Sequence, residues 1–267
     1  MAAAVPDAVQ QFIAGFGDGD ASILIPPPHK NSFSAAPRVH FYQSCDEGVP
    51  AELLYVQAHY GGTISVARER EGNIRKSWVL GITHGVEDVL KAMAEYATIK
   101  RSQAALALEY TRASERWQLA DNFRQRLEEE RISTQFPILV DRLTDAYLAG
   151  LFAADGSIGF YETKRGAFTL GSQIASAKIP ILHAIQLVLG GSGCVSPKHE
   201  RIVFGARDTE RLCDAIRPHL IGAKVPQVDT AMNAQRLKLS RKTRKRSQKQ
   251  REELQQMVQA LKKMKRK

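Results

Sequence analysis

Cysteine is scarce in this chain: Cys45, Cys194 and Cys213 are odd in number, widely spaced and without a C-x-x-C pair. That excludes a disulfide framework or a redox dithiol, and the expectation is a reduced intracellular compartment with cysteines that pack. The 7 histidines show no H-E-x-x-H or zinc-finger spacing, so no dedicated zinc site is expected. Long apolar runs are missing, and MAAAVPDAVQ at the N-terminus lacks a basic region followed by an apolar core. Neither a secretory signal, a transmembrane segment nor a membrane partner is expected.

What is present is the composition of a soluble globular protein, 43% hydrophobic and 25% charged. A length of 267 residues allows two domains of roughly 100 residues, each with its own core. The net charge of +10 is uneven, because the segment from Gln235 to Lys267 holds 14 Lys and Arg against Glu252 and Glu253. The remainder is slightly acidic. Bulk charge therefore points to a polyanion-seeking tail, and nucleic-acid binding by the body must rest on other evidence.

An internal repeat organises the chain. IAGFGDGDA at Ile13 to Ala21 matches LAGLFAADG at Leu148 to Gly156, pairing Asp20 with Asp155. In the same order, GGTIS at Gly61 to Ser65 matches GGSG at Gly190 to Gly193. WVLG ending at Gly81 then matches IVFG ending at Gly205, and KRSQ from Lys100 matches KVPQ from Lys224. Val9, Phe12, Ile13 and Phe16 form one apolar helical face, as do Tyr147, Leu148, Leu151 and Phe152, with Thr144 as N-cap. Gly15 with Gly19, and Gly150 with Ala154, leave a small-residue face on which the two helices can approach closely and set Asp20 beside Asp155.

Strand-like segments follow each motif. SILI and RVHFY alternate Arg38, His40 and Tyr42 with Val39 and Phe41, a sheet with one polar face. Pro26, Pro27 and Pro28 end or bend the first ribbon. TISVARER and IRKSWVLGI form a hairpin at Glu71-Gly72-Asn73. SIGFYETK, a turn at Lys164-Arg165-Gly166, AFTLGSQI and a hairpin GSGCVSPKHERIVFG repeat the pattern. Interleaved helices read as Ala51 to His59, Val86 to Tyr96, Ile179 to Leu189 and Thr209 to Leu220. Each half is thus αββαββα, an α+β fold. The organisation expected is a first repeat over 1–131 that includes a long helix from about Ser102 to Arg131, a linker over 132–140, a second repeat over 141–234, and a basic tail over 235–267. In that tail Ser240 to Gln250 reads as disordered when unbound and the chain is helix-compatible from Glu252.

The paired motifs resemble those of LAGLIDADG homing endonucleases, in the single-chain, monomeric, two-motif form. The resemblance implies two pseudo-symmetric repeats packed through the motif helices, with antiparallel sheets forming a DNA-binding saddle. It implies a metal-dependent endonuclease that cuts double-stranded DNA. Since the halves differ, its target is long and non-palindromic. Asp20 and Asp155 map onto the metal-binding acids, with the carbonyls of Gly19 and Ala154 completing the ligation. Oxygen ligation by few protein groups suits Mg²⁺, with Mn²⁺ or Ca²⁺ able to substitute in binding. Lys100 and Lys224 align with the lysine near the scissile phosphate, where an ammonium offsets transition-state charge. Asp46 or Glu47 in the first half, and Gln173, Ser176 or Lys178 in the second, are candidates to order the water.

The motifs depart from the family pattern at Ala21, Gly17 and Ala153, none of which removes a metal-binding acid. Groove-facing candidates, counted alternately from the acids, are Ser22, Leu24, Ser157, Tyr161, Thr163 and Arg165. Arg38, His40, Tyr42, Arg68, Arg70, Arg75, Gln173, Lys198 and Arg201 extend that set. A two-stranded ribbon fits the major groove, where each base pair shows its own donor and acceptor pattern. The alternative is a maturase that assists intron RNA splicing without cutting DNA, which RKTRKR would suit equally well. Localisation stays open between chloroplast or mitochondrion, against which the few asparagines argue, and nucleus, which the basic tail would serve.

Overall fold

The computed structural model describes residues 4–27, 36–72, 74–114, 116–133, 138–162, 168–239 and 248–264. The chain divides into two compact units, Met1–Ala154 and Asp155–Lys267. Among the described residues, no helix is long and apolar enough to cross a membrane.

In the first unit, α1 (Asp7–Asp20), β1 (Ala21–Leu24), β2 (Arg38–Ser44), α2 (Ala51–Tyr60), β3 (Thr63–Arg68), β4 (Ser77–Ile82) and α3 (Val86–Tyr96) follow the expected αββαββα order. The sheet is antiparallel, in the order β1-β2-β4-β3. Ile23, Val39, Phe41, Leu80 and Ile82 turn to the core, while Leu24, Arg38 and Tyr42 are exposed on the other face. β1 stops at Leu24, just ahead of Pro26 and Pro27, as proline's missing N–H requires.

The second unit repeats this topology with β5 (Gly156–Glu162), β6 (Phe168–Ala175), α7 (Ile179–Val188), β7 (Cys194–Ser196), β8 (Arg201–Phe204) and α8 (Ala206–Ile216), in the sheet order β5-β6-β8-β7. Gly62 and Gly193 enter β3 and β7 with φ of 101° and 85°, a backbone that favours glycine, so the GGTIS and GGSG segments play one role. The match of Gly81 with Gly205 shifts by two. Gly81 lies opposite His40 within the ladder, whereas Val203 takes that place opposite Gln173, and Gly205 is the N-cap of α8.

The long helix expected from Ser102 to Arg131 is two helices, α4 (Arg101–Arg112) and α5 (Arg116–Ile132), packed as a hairpin. Burial of Ala120, Phe123 and Leu127 drives the fold-back, with Phe123 against Tyr110 at a ring separation of 5.1 Å. Arg126 makes two 3.2 Å hydrogen bonds to Glu109 across the pair. The second unit ends the same way in α9 (Lys224–Leu239) and α10 (Gln248–Met264), where Leu254, Val258 and Leu261 are buried. Of the segment Ser240 to Gln250, read from sequence as disordered, Gln248 to Gln250 open α10 and residues 240–247 lie outside the described residues. The repeat therefore extends through a helical hairpin that sequence patterning did not reveal.

The second motif helix, α6 (Asp145–Asp155), follows a helical turn at Val140–Arg142, and its residues through Ala154 belong with the first unit. Thr144 is its N-cap, its Oγ1 accepting from Tyr147 N at 3.2 Å. Residues 134–137, in the segment read as a linker, lie outside the described residues.

Candidate active site

Helices α1 and α6 cross at their glycines. A Cβ on Gly15 would collide with the Tyr147 carbonyl, and one on Gly150 with the Phe12 carbonyl. Phe12, Ile13, Phe16, Tyr147, Leu148, Leu151 and Phe152 are buried around the crossing, as the two predicted apolar faces require, while Val9, the first residue of the α1 face, is half-buried. Gly15 and Gly150 stand equally far in sequence before Asp20 and Asp155, the half-buried last residues of the two helices. Neither helix has a basic residue in its last turn. A carboxylate at the negative pole of a helix costs roughly 0.3–1 kcal/mol, which a cation offsets. Gly19 and Ala154, whose carbonyls complete the expected ligation, are half-buried beside the acids. At each helix end, carboxylate and helix-terminal carbonyl oxygens are donors of the kind that suit a hard divalent cation. Among the described residues, no group of three or more His, Cys, Asp or Glu could hold a metal.

Asp18 has a different task from Asp20, which sequence reading did not separate. It is buried, and its carboxylate accepts from Thr98 N at 2.7 Å, Ile99 N at 2.9 Å, Lys100 N at 2.7 Å and the Tyr147 hydroxyl at 2.7 Å. Hydrogen bonds to a charged group contribute roughly 1.5–3 kcal/mol each. Burial, with Asp18 beside it, pushes the Tyr147 hydroxyl well above the usual tyrosine range. The ammonium of Lys100 donates to Gly17 O and Asp18 O at 2.7 Å and reaches Gly19 O at 3.4 Å. Lys100 thus rests on the last carbonyls of α1, beside Asp20. In the second unit Lys224 opens α9, and its ammonium donates to Gly156 O at 2.5 Å, next in sequence to Asp155. Gln103 and Gln227, which follow the lysines at matching positions, are both buried.

On the first sheet's open face, Ser22 pairs with His40 and Leu24 with Arg38, and Tyr42 lies opposite Val79. His40 Nδ1 is 3.3 Å from the Tyr42 hydroxyl. Burial and then the Arg38 charge lower the His40 pKa, favouring the neutral ring. Arg68, displaced by a bulge after Val66, lies opposite Ser77. A cleft of about 660 Å³ brings Arg124 and Arg131 of α5 to the same edge as Leu24, Arg38 and His40.

Several of the remaining candidates carry structural duties. Asp46 accepts from Lys76 N at 3.0 Å and pairs with Arg70 at 3.6 Å, fastening the loop after β2 to the β3–β4 hairpin. Glu47, next to Asp46 in the loop after β2, is exposed, Arg75, between β3 and β4, is half-buried, and both are engaged in interactions. On the second sheet Ser157 pairs with Gln173, which accepts from Arg201 at 3.2 Å. Tyr161 is exposed beside Gly171, where a Cβ would meet its ring at 2.9 Å. Ser176 Oγ accepts from Lys178 N at 3.2 Å, closing the turn into α7. Lys198 is exposed in the 3-10 turn Pro197–His199 between β7 and β8. Thr163 and Arg165 lie outside the described residues.

No protein-family model matches the sequence, and no curated protein matches it. Solved structures do. The LAGLIDADG homing endonuclease I-GzeII in complex with its DNA target is 13% identical, with 94% of this chain and 97% of that one covered at a TM-score of 0.67. I-LtrWI bound to target DNA gives the same four values. I-SmaMI bound to uncleaved DNA in the presence of calcium ions is 15% identical, with coverage of 95% and 98% and a TM-score of 0.60. Set beside the two matching sheets and the glycine crossing of the motif helices, these likenesses show that the chain has the fold of single-chain, two-motif LAGLIDADG homing endonucleases.

Proposed function

We propose that this protein is a site-specific endonuclease that hydrolyses both strands of double-stranded DNA at a long asymmetric target, with Mg²⁺ as its cofactor. The observation that carries this reading is the duplicated helix end: an aspartate closes each motif helix at its negative pole, and a sheet with a polar open face follows directly. The DNA complexes of I-GzeII and I-LtrWI support DNA as partner, and the calcium-containing complex of I-SmaMI supports a divalent ion.

Asp20 and Asp155 would hold the cation with the carbonyls of Gly19 and Ala154; Mn²⁺ or Ca²⁺ would also bind. When bound, the cation supplies charge neutralisation at the scissile phosphate and a water activated for attack. A bound cation would also balance the negative charge of the two carboxylates. Lys100 and Lys224, held at the ends of their motif helices, bring ammonium groups to offset charge that builds on the phosphate oxygens. The open sheet faces read base edges through Ser22, Arg38, His40, Tyr42, Ser157, Tyr161 and Gln173.

The test is incubation with a randomised duplex library and magnesium, followed by sequencing of the cleaved ends. One enriched, non-palindromic sequence cut on both strands is expected. Binding with no cut ends at any magnesium concentration would overturn the nuclease and leave the RNA maturase, a role the RKTRKR segment suits.

A further inference from the structure

From the four hydrogen bonds on its buried carboxylate, we infer that Asp18 is a positioning residue for Lys100, and so serves the half-site of Lys100 and not that of Lys224. The inference rests on the nuclease reading and adds a division of labour between the strands. Asp18 gathers three successive backbone N–H groups, Thr98, Ile99 and Lys100, and so fixes the main chain from which the Lys100 side chain returns to α1. That side chain ends on Gly17 O and Asp18 O, so both ends of the lysine are tied to one turn of helix. The fourth donor, Tyr147, belongs to α6, so docking of the second motif helix adds to the hold on the Asp18 carboxylate.

The second motif helix carries no acid at the equivalent position. Counting back from the terminal acids, Ala153 stands where Asp18 stands, and its methyl group accepts no hydrogen bond. The backbone leading into α9 turns instead at Gly222, with φ of 74°. The Lys224 amine approaches Gly156 O, on the strand side of the terminal aspartate, whereas Lys100 reaches the helix side. Rate depends steeply on placement of a charged group near the reacting phosphate, so loss of the Asp18 anchor should slow one strand and spare the other.

The experiment uses the full chain and a supercoiled plasmid carrying the target recovered from the library, in single turnover with magnesium, with the two strands followed separately. Asp18→Asn keeps the shape but offers one acceptor oxygen and turns an amide N–H₂ toward the N–H donors. Cutting of one strand should slow about tenfold or more, and of the other by less than about twofold, so nicked circles accumulate. Duplex affinity in calcium should be unchanged. Equal slowing of both strands, or no slowing, by a folded variant would overturn the positioning role. Should Asp18→Asn melt below the assay temperature, Tyr147→Phe, which leaves the three backbone donors, decides. It should bias cutting toward the same strand, and unbiased cutting would overturn the inference. A wild-type protein that binds its selected duplex and cuts neither strand would overturn the nuclease reading itself, which distinguishes the two failures.

Discussion

Asp20 and Asp155 close helices that carry no basic residue in their last turns, so positive charge reaches these helix ends from elsewhere in the chain, through Lys100 on the last carbonyls of α1 and Lys224 on Gly156 O. Under the proposed mechanism Asp20→Asn or Asp155→Asn should each abolish double-strand cleavage while duplex affinity stays nearly intact, because the change removes a metal ligand and no phosphate contact. Cleavage and gel-shift assays on each variant check this, and full cutting by either would sink a two-carboxylate site. Both terminal acids were legible from sequence because they recur in matching motifs. The neighbouring Asp18 was not, since its meaning lies in N–H groups about eighty residues downstream, a separation that no local pattern encodes.

Elements with a strong local period were legible. The alternation of Arg38, His40 and Tyr42 against Val39 and Phe41 foretold β2 and its polar face, and the small residues of the motif helices foretold the crossing. Gly15→Ala or Gly150→Ala should therefore destabilise the protein by about 1–3 kcal/mol or more, since each new methyl meets backbone that cannot move aside. Thermal melting followed by circular dichroism reads this directly, and an unchanged melting temperature would contradict the close approach. The break between α4 and α5 carries neither proline nor glycine, so helix propensity ran straight through it. Tertiary burial set the break. Phe123→Ala should accordingly cost about 3–5 kcal/mol, against about 0–1 kcal/mol for Arg126→Ala at the exposed pair with Glu109. Denaturant titration of both variants separates a packed hairpin from a helix whose Phe123 meets solvent.

At the scale of the whole chain, duplication within one polypeptide supplies both motif helices, so sedimentation should find an active monomer whose specific activity survives dilution. The repeat also changes what the basic C-terminal region means. α10 buries Leu254, Val258 and Leu261 against α9 and β5, and Gln235 is buried with a 2.7 Å hydrogen bond to Glu210. Removing everything after Ala234 would therefore expose part of the second unit's core. Neutralisation separates charge from packing: Arg241, Lys242, Arg244, Lys245 and Arg246, in the sequence between α9 and α10, changed together to Gln. Melting should be unchanged, and the dependence of affinity on salt should flatten by roughly 0.9 in log–log slope for each DNA phosphate that the protein no longer neutralises. Phosphate contacts carry no base information, so the preferred target should survive, while Arg38→Ala should relax it at a few positions, by about 1–3 kcal/mol if Arg38 reads a guanine. If the neutralised protein lost its target and Arg38→Ala kept it, recognition would reside in the basic segment and the open sheet faces would be bystanders.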